Sequence, residues 1–375
     1  MTRNRLPRRV AARASLALAV TLIASPLAAE AFDPGREDIA AFIADVAQRL
    51  DFEPGPLAEL LAQAESQPDI LTAIARPAER TLTWDEYRSR FLIDRRIQRG
   101  VQTYSERRVE LERAAAASGV PAEILLGIVG IETFYGENTG KYRVVDALAT
   151  LAFDYPPRAL FFSSELEQYL LMTREEKLDP LAPRGSYAGA MGIPQFMPTS
   201  FRKFAVDGDG DGRKDIWNDW ADVFSSVGTY LKEQGWRAGE PVMVAADATG
   251  ADLGGLDASA LTLDATVGSL HQRGVKFETN LPASAPAMLV ALTIGFGTEY
   301  RVGFTNFQAI TRYNRSRMYA SAVSDLADAI TSARAGTPAT LPPVAPAAPP
   351  APTAATMASV ADFDFPPPTM VSTLQ

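Results

Sequence analysis

The chain has 375 residues, 47% of them hydrophobic, a formal net charge of −9, no cysteine and one histidine. Disulfides, thiolate nucleophiles, cysteine-type zinc sites and histidine-rich metal centres are therefore excluded. A Ser-His-Asp triad would have to use His271, which stands in Ser269-Leu-His-Gln-Arg-Gly274 with no nucleophile elbow nearby, and so acidic a chain is not a nucleic-acid binder by bulk electrostatics; carboxylate chemistry remains, or none.

The N-terminus reads as a secretory signal. Arg3, Arg5, Arg8, Arg9 and Arg13 precede an apolar stretch from Ala14 to Leu27, and Ala29-Glu30-Ala31 forms an A-x-A cleavage site. The apolar stretch is short for a membrane span, and no cysteine offers a lipoprotein anchor. Residues 1–31 carry +4, so their removal takes the net charge from −9 to −13. The expectation is an exported, periplasmic, soluble protein with no transmembrane segment in the mature chain.

Residues 33–118 read as helical. Asp38 to Leu50 has apolar residues at helical spacing, and a second helix is expected from Tyr87 to Ala117. Pro121 suits the first turn of the next helix, which ends near Glu132. Residues 146–175 are again helical in pattern, interrupted at Tyr155-Pro156-Pro157, and 180–220 is rich in Gly, Pro and Asp and reads as ordered loop. A helix resumes from Asp222 to Gln234 and stops at Gly235. Short strands are expected at 264–267, 287–294 and 300–302, as a separate domain or an insertion, and a last helix from Ser316 to Ala333. Ten of the 27 prolines fall after residue 335, which marks a low-complexity, disordered tail.

Four segments carry possible chemistry. In Ile124-Leu-Leu-Gly-Ile-Val-Gly-Ile-Glu132-Thr-Phe-Tyr-Gly136 every residue before the glutamate is aliphatic or Gly, and aromatics follow it. A carboxyl at such an apolar wall would have a raised pKa and could act as a general acid; a helix-end glutamate turned to water is the plainer alternative. In Gly185-Ser-Tyr-Ala-Gly-Ala-Met-Gly-Ile-Pro-Gln-Phe-Met-Pro198 three glycines allow close backbone approach, and Ser186 and Gln195 offer hydrogen bonds. Asp207-Gly-Asp-Gly-Asp-Gly212 matches the start of an EF-hand calcium loop, with Asp207, Asp209 and Asp211 at positions 1, 3 and 5 and the carbonyl of Arg213 at 7. Position 12 is Asn218 rather than Glu, so Asp219 or Asp222 would have to serve as the distal acid. Thr305 to Tyr319 is polar and aromatic; Tyr313 and Tyr319 suit core packing as well as a site.

Together these segments resemble the lytic murein transglycosylase B family. The likeness runs from Thr83 to Ala333 and includes Gly127-Ile-Val-Gly-Ile-Glu-Thr133, Asp146-Ala-Leu-Ala-Thr-Leu-Ala-Phe153, Tyr155-Pro156, Phe162-Ser-Ser-Glu-Leu166, the Gly-Ala-Met-Gly and Gln-Phe-Met-Pro runs, the acidic loop and Ile310-Thr-Arg-Tyr-Asn314. The resemblance implies a mainly α (α+β) fold: a lysozyme-like catalytic core over 32–334, with an added EF-hand-type calcium loop at 207–222 and a small strand-rich region at about 240–313. It implies cleavage of the β-1,4 bond between N-acetylmuramic acid and N-acetylglucosamine with 1,6-anhydro ends, Glu132 being the single acid/base. It makes Ser186 and Gln195 active-site contacts, and Tyr87, Arg158, Tyr230, Tyr313, Asn314 and Tyr319 contacts to glycan or peptide stem, or supports of the glutamate. Asp207, Asp209, Asp211, Arg213 and Asp222 would hold a structural calcium. Peptidoglycan strands are the implied partner, and other cell-wall enzymes are further candidates.

There are departures. Pro157 stands where the family can have a second Arg beside Arg158, Arg301 replaces an aromatic before the Gly303 turn, and Gln308 replaces another. A hydrolytic muramidase and a non-catalytic, calcium-stabilised glycan-binding protein are the alternative readings.

Overall fold

A computed structural model describes residues 30–75 and 82–337. In chain order its elements are β1 (Glu30–Ala31), α1 (Glu37–Leu50), α2 (Pro54–Gln63), β2 (Glu65–Ser66), α3 (Pro68–Ile74), α4 (Trp84–Phe91), α5 (Asp94–Glu106), α6 (Arg108–Ser118) and α7 (Ala122–Thr133). There follow β3 (Tyr142–Arg143), α8 (Val144–Phe153), α9 (Ala159–Glu175), β4 (Arg184–Gly185), α10 (Pro198–Phe204) and α11 (Trp220–Glu233). The last part holds β5 (Met243–Ala246), β6 (Ala265–Thr266), α12 (Val267–Gln272), β7 (Pro286–Ile294), β8 (Gly297–Gly303), α13 (Thr305–Tyr313) and α14 (Arg317–Ala335). The fold is mostly helical, as expected.

α7 organises the core. Every residue in it except Glu123 and Glu132 is buried, which is what a helix apolar on all sides requires. α14 crosses it closely because Gly127 and Gly130 leave room: a Cβ on Gly127 would lie 2.8 Å from the carbonyl oxygen of Val323, and one on Gly130 would lie 3.0 Å from Leu326 Cδ2. In α1, Ile39, Phe42, Ile43 and Val46 form the buried stripe at helical spacing.

The single helix expected from Tyr87 to Ala117 is three helices. The first break is at Leu92 and Ile93, where Ile93 is extended (φ −101°, ψ 147°) and Arg96 Nη1 donates to the carbonyls of Arg90 (2.7 Å) and Phe91 (2.9 Å). A guanidinium five to six residues further on thus satisfies the helix-end acceptors, which the apolar periodicity does not reveal. The second break is at Arg107 (φ −120°, ψ 30°). α10 lies inside the expected 180–220 loop; Pro198 opens it, and the Glu165 carboxylate, 34 residues earlier, accepts from the Thr199 N–H at 2.9 Å. Tyr155-Pro156-Pro157 does interrupt the helices, as a 3₁₀ turn over Pro156–Arg158.

The strand-rich part is an antiparallel sheet of order β5-β8-β7-β6, docked on the helices. β7 is apolar on both faces. Met288, Val290 and Leu292 enter the main core, while Ala287 and Leu289 join Val267, Leu270, Phe277, Val302 and Phe304 in a smaller one. α12 was not expected; six residues are too few to show a period.

Among the described residues no single helix is long and apolar enough to cross a membrane; α6 and α7 pass only as a pair bent by 111°. The expected signal segment lies outside the described residues up to position 29, and so does the tail from 338. Glu30 and Ala31, expected to end the signal, pair with β2, and Phe32 is buried against Phe153.

Candidate active site

Glu132 is the penultimate residue of α7. The helix ends in left-handed backbone: Phe134 (φ 54°), Tyr135 (φ 57°) and Gly136 (φ 86°) are successive, and the Tyr135 N–H bonds the Val129 carbonyl at 3.1 Å. Two non-glycine residues in this region are a local cost that the surroundings must hold in place. Thr133 does much of that. Its buried hydroxyl donates to the Ile193 carbonyl (2.9 Å) and accepts from the Gly136 N–H (3.0 Å), tying the helix end to the glycine-rich loop.

The Glu132 carboxyl is set apart by what it lacks. Oε2 has no solvent contact and no hydrogen-bond partner; Oε1 accepts one bond, from the Tyr319 hydroxyl at 2.5 Å. The residue as a whole is only half-buried, so the carboxyl is its sealed part. Burial pushes its pKa from 4.5 up to about 8, and the Tyr319 bond opposes that without cancelling it. At neutral pH the group holds a proton, as a general acid must. The expectation of a desolvated carboxyl, rather than one turned to water, is what the structure has.

Four helices supply the surroundings. Tyr319 (α14) and Tyr313 (α13) are buried, and burial together with the Glu132 charge raises both hydroxyls well above the ordinary tyrosine range. Tyr87 (α4) is buried, stacked on Trp84 and tilted against Phe91, and is raised by the same two causes. The Tyr313 hydroxyl donates to the Pro194 carbonyl at 2.6 Å, and its ring packs on Tyr230 and Phe196. Tyr230 (α11) donates to the Arg312 carbonyl at 2.5 Å, so it braces Tyr313 from behind. Asn314 is buried, with neither Nδ2 nor Oδ1 partnered. For a group that costs free energy when unsatisfied, that is the state of one kept for a ligand or water.

The glycine-rich loop folds on itself. Ser186 Oγ accepts from the N–H groups of Ala188 (3.3 Å) and Ala190 (3.1 Å). Gln195, at φ 54°, donates from Nε2 to the carbonyls of Gly192 (2.8 Å) and Thr139 (3.1 Å). Both expected contact residues are therefore also what shapes the loop. Gly189 (φ 81°) lies so close to Leu148 that a Cβ would come within 2.4 Å of it. Arg158 stands at the turn before α9 with its guanidinium over the Phe161 and Phe162 rings.

The acidic loop brings together three of its five expected ligands. Carboxylate oxygens of Asp207, Asp209 and Asp211 lie within 4.8 Å of one another, and none is in an ion pair among the described residues. Loop N–H groups hold them: Asp207 accepts from Gly210 and Gly212, Asp209 from Asp211, and Asp211 from Arg213. Asp222 lies outside that cluster. Buried at the start of α11, it accepts from the Gly208 and Asp215 N–H groups, both at 2.6 Å, and so closes the loop at its two ends. Asp219 caps α11. Three converging carboxylates without a counter-charge fit a hard cation with oxygen ligands.

A model described as the transglycosylase SLT domain matches residues 35–328. The chain belongs to the transglycosylase SLT domain family. A relative, membrane-bound lytic murein transglycosylase B of Escherichia coli K12, is 39% identical over 302 residues, covering 78% of this chain and 82% of that one. Catenated lytic transglycosylase SltB1 from Pseudomonas aeruginosa superposes with TM-score 0.75 at 46% identity, over 80% of this chain and 99% of the other. Escherichia coli lytic transglycosylase Slt35 in complex with calcium gives TM-score 0.73 at 38% identity, over 82% and 97%.

Sequence reasoning missed one constellation in this family member. Arg301, noted only as a departure, is buried and pairs with Asp325 of α14 through Nη1 (2.6 Å) and Nη2 (3.1 Å), and with Glu299 through Nε (2.6 Å). Arg88 of α4 reaches the same Asp325 at 3.0 Å, and Arg301 lies over Trp84. This cluster joins the sheet to the two helices that carry Tyr87 and Tyr319. A surface groove of 730 Å³ between α1 and α2, lined by Pro34, Ile43, Ala47 and Phe52, includes none of the residues around Glu132.

Proposed function

We propose that this chain is a lytic transglycosylase that cleaves the β-1,4 bond between N-acetylmuramic acid and N-acetylglucosamine in peptidoglycan and leaves 1,6-anhydromuramic acid ends. The observation that carries it is a single protonated carboxyl, on Glu132, in a tyrosine-walled site of this family.

Glu132 first gives its proton to the leaving glycosidic oxygen. As a carboxylate it then takes the proton of the muramic acid C6 hydroxyl, whose oxygen attacks C1 and closes the anhydro ring. Two-carboxylate glycosidases keep their second acid within about 5–9.5 Å of the first. Among the described residues burial and the Tyr319 bond are the causes that act on the Glu132 pKa, and no neighbouring carboxylate is among them. The C6 nucleophile makes one unnecessary. Tyr319 would stabilise the carboxylate between the two steps by donating to it. Tyr87, Tyr313 and Asn314 are assigned to the glycan, with Ser186 and Gln195 shaping the loop that meets it.

The acidic loop is assigned a structural calcium on Asp207, Asp209, Asp211 and the Arg213 carbonyl, with Asp222, which ties the two ends of the loop, as the distal acid. The core is read as lysozyme-like, and the mature protein as periplasmic. The test is mass spectrometry of soluble products from purified sacculi. Products lighter by one water than hydrolytic ones support the lyase, reducing ends would make it a muramidase, and binding without release would make it a scaffold. Glu132→Gln should release nothing; substantial residual cleavage would remove Glu132 from the mechanism.

A further inference from the structure

The protein carries a net charge of −9, yet residues 88–99 contain Arg88, Arg90, Arg95, Arg96 and Arg99 against Asp94 alone. Most of these guanidiniums are occupied. Arg88 pairs with Asp325. Arg96 donates to two carbonyls and lies over the Phe134 ring, 4.6 Å from its centre. Arg95 pairs with Glu137 at 2.7 Å, and Arg99 with Glu106 at 3.1 Å.

Arg90 differs from all of them. It is exposed and joins no salt bridge among the described residues. It stands three residues after Tyr87 on α4, so it shares the face of the helix that Tyr87 presents. The Arg88–Asp325 pair at 3.0 Å holds α4 against α14, whose Tyr319 donates to Glu132, so the helix that bears Arg90 stands beside the Glu132 site. An unpaired guanidinium one helical turn from Tyr87, which is assigned to the glycan, suits a carboxylate ligand, which it can grip with two parallel N–H donors.

The substrate supplies such a ligand. The glycan backbone apart from its lactyl groups is uncharged, whereas the peptide stems on muramic acid carry carboxylates. An acidic protein repels these unless the site offers a local cation. Arg158, the expected stem contact, lies over Phe161 and Phe162, beside a proline rather than a second Arg.

We infer that Arg90 is an anchor for a carboxylate of the peptide stem, making stem-bearing strands better substrates than denuded ones. This rests on the peptidoglycan reading above. The test measures kcat/KM on soluble glycan strands of matched length, with stems intact and after their removal by an amidase, the freed lactyl carboxyls then being converted to amides. For Arg90→Ala the ratio of the two should fall about tenfold from the natural protein's value, the change residing in KM, as for loss of one charge-assisted hydrogen bond. Arg90→Lys, which keeps the charge without the fork, should keep part of that ratio. Thermal unfolding of both variants should match the natural protein. A ratio unchanged in Arg90→Ala, or equal losses on both substrates, would overturn the inference while leaving the cleavage chemistry standing. If the natural protein gives no anhydro ends on either substrate, the underlying reading itself falls.

Discussion

Glu132→Gln should make the protein more stable than the natural chain at pH 9, and no more stable at pH 4. The carboxyl titrates at about 8 in the fold, against an ordinary 4.5 in an unfolded chain. Between those values the folded state holds a proton that the unfolded state has released. The folded state then binds more protons, so stability falls as pH rises through this window, and the full loss is reached above 8. At about 1.4 kcal/mol for each pH unit, the ceiling is ~5 kcal/mol. Glu132 is half-buried as a residue, so relaxation and water entry reduce the expected effect to ~2–3 kcal/mol. Glutamine has no charge to desolvate and can still accept from Tyr319. The assay is urea denaturation of both proteins at pH 4, 7 and 9, comparing the two at each pH so that every other titrating group cancels. A stability gap that stays constant with pH, or that shrinks toward pH 9, would refute the claim that a desolvated acid sits there.

Tyr319→Phe removes the one donor to Glu132; since that bond favours the ionised form, the acid's pKa should rise further, moving the alkaline limb of the kcat/KM profile up by ~1–2 pH units. Asp325→Ala leaves Arg301 and Arg88 facing a hole where their shared counter-charge was, and should cost ~3–5 kcal/mol in denaturant unfolding. Calcium added to chelator-stripped protein should raise the melting temperature, by ~2.7 kcal/mol of stability at a hundredfold excess over Kd, and Asp209→Asn should abolish most of that response.

Glu132 was legible because eight aliphatic or glycine residues precede it, and a helix apolar all round can only be a core helix. Tyr313 and Tyr319 admitted two readings, core or site, and the structure has them as both: buried rings whose hydroxyls reach Pro194 and Glu132. What stayed hidden was where polar side chains place their hydrogen bonds. The break before α5 depends on where the Arg96 guanidinium goes, and α10 depends on a carboxylate from α9. The type and spacing of Asp222 suit a distal ligand; only the fold shows that both its oxygens also accept from N–H groups at the two ends of the loop. Arg301 looked like a lost aromatic, and its partner 24 residues on could not be guessed from composition.

Residues 132 and 319 are 187 positions apart. The first belongs to a helix that can form early in the chain, the second to the last helix described. Until α14 lies across Gly127 and Gly130, Glu132 faces water and is an ordinary, ionised carboxylate with no proton to give at neutral pH. Chain order therefore acts as a safety catch: a fragment ending before Met318, or a molecule caught half-folded, carries the acid but not the wall that arms it.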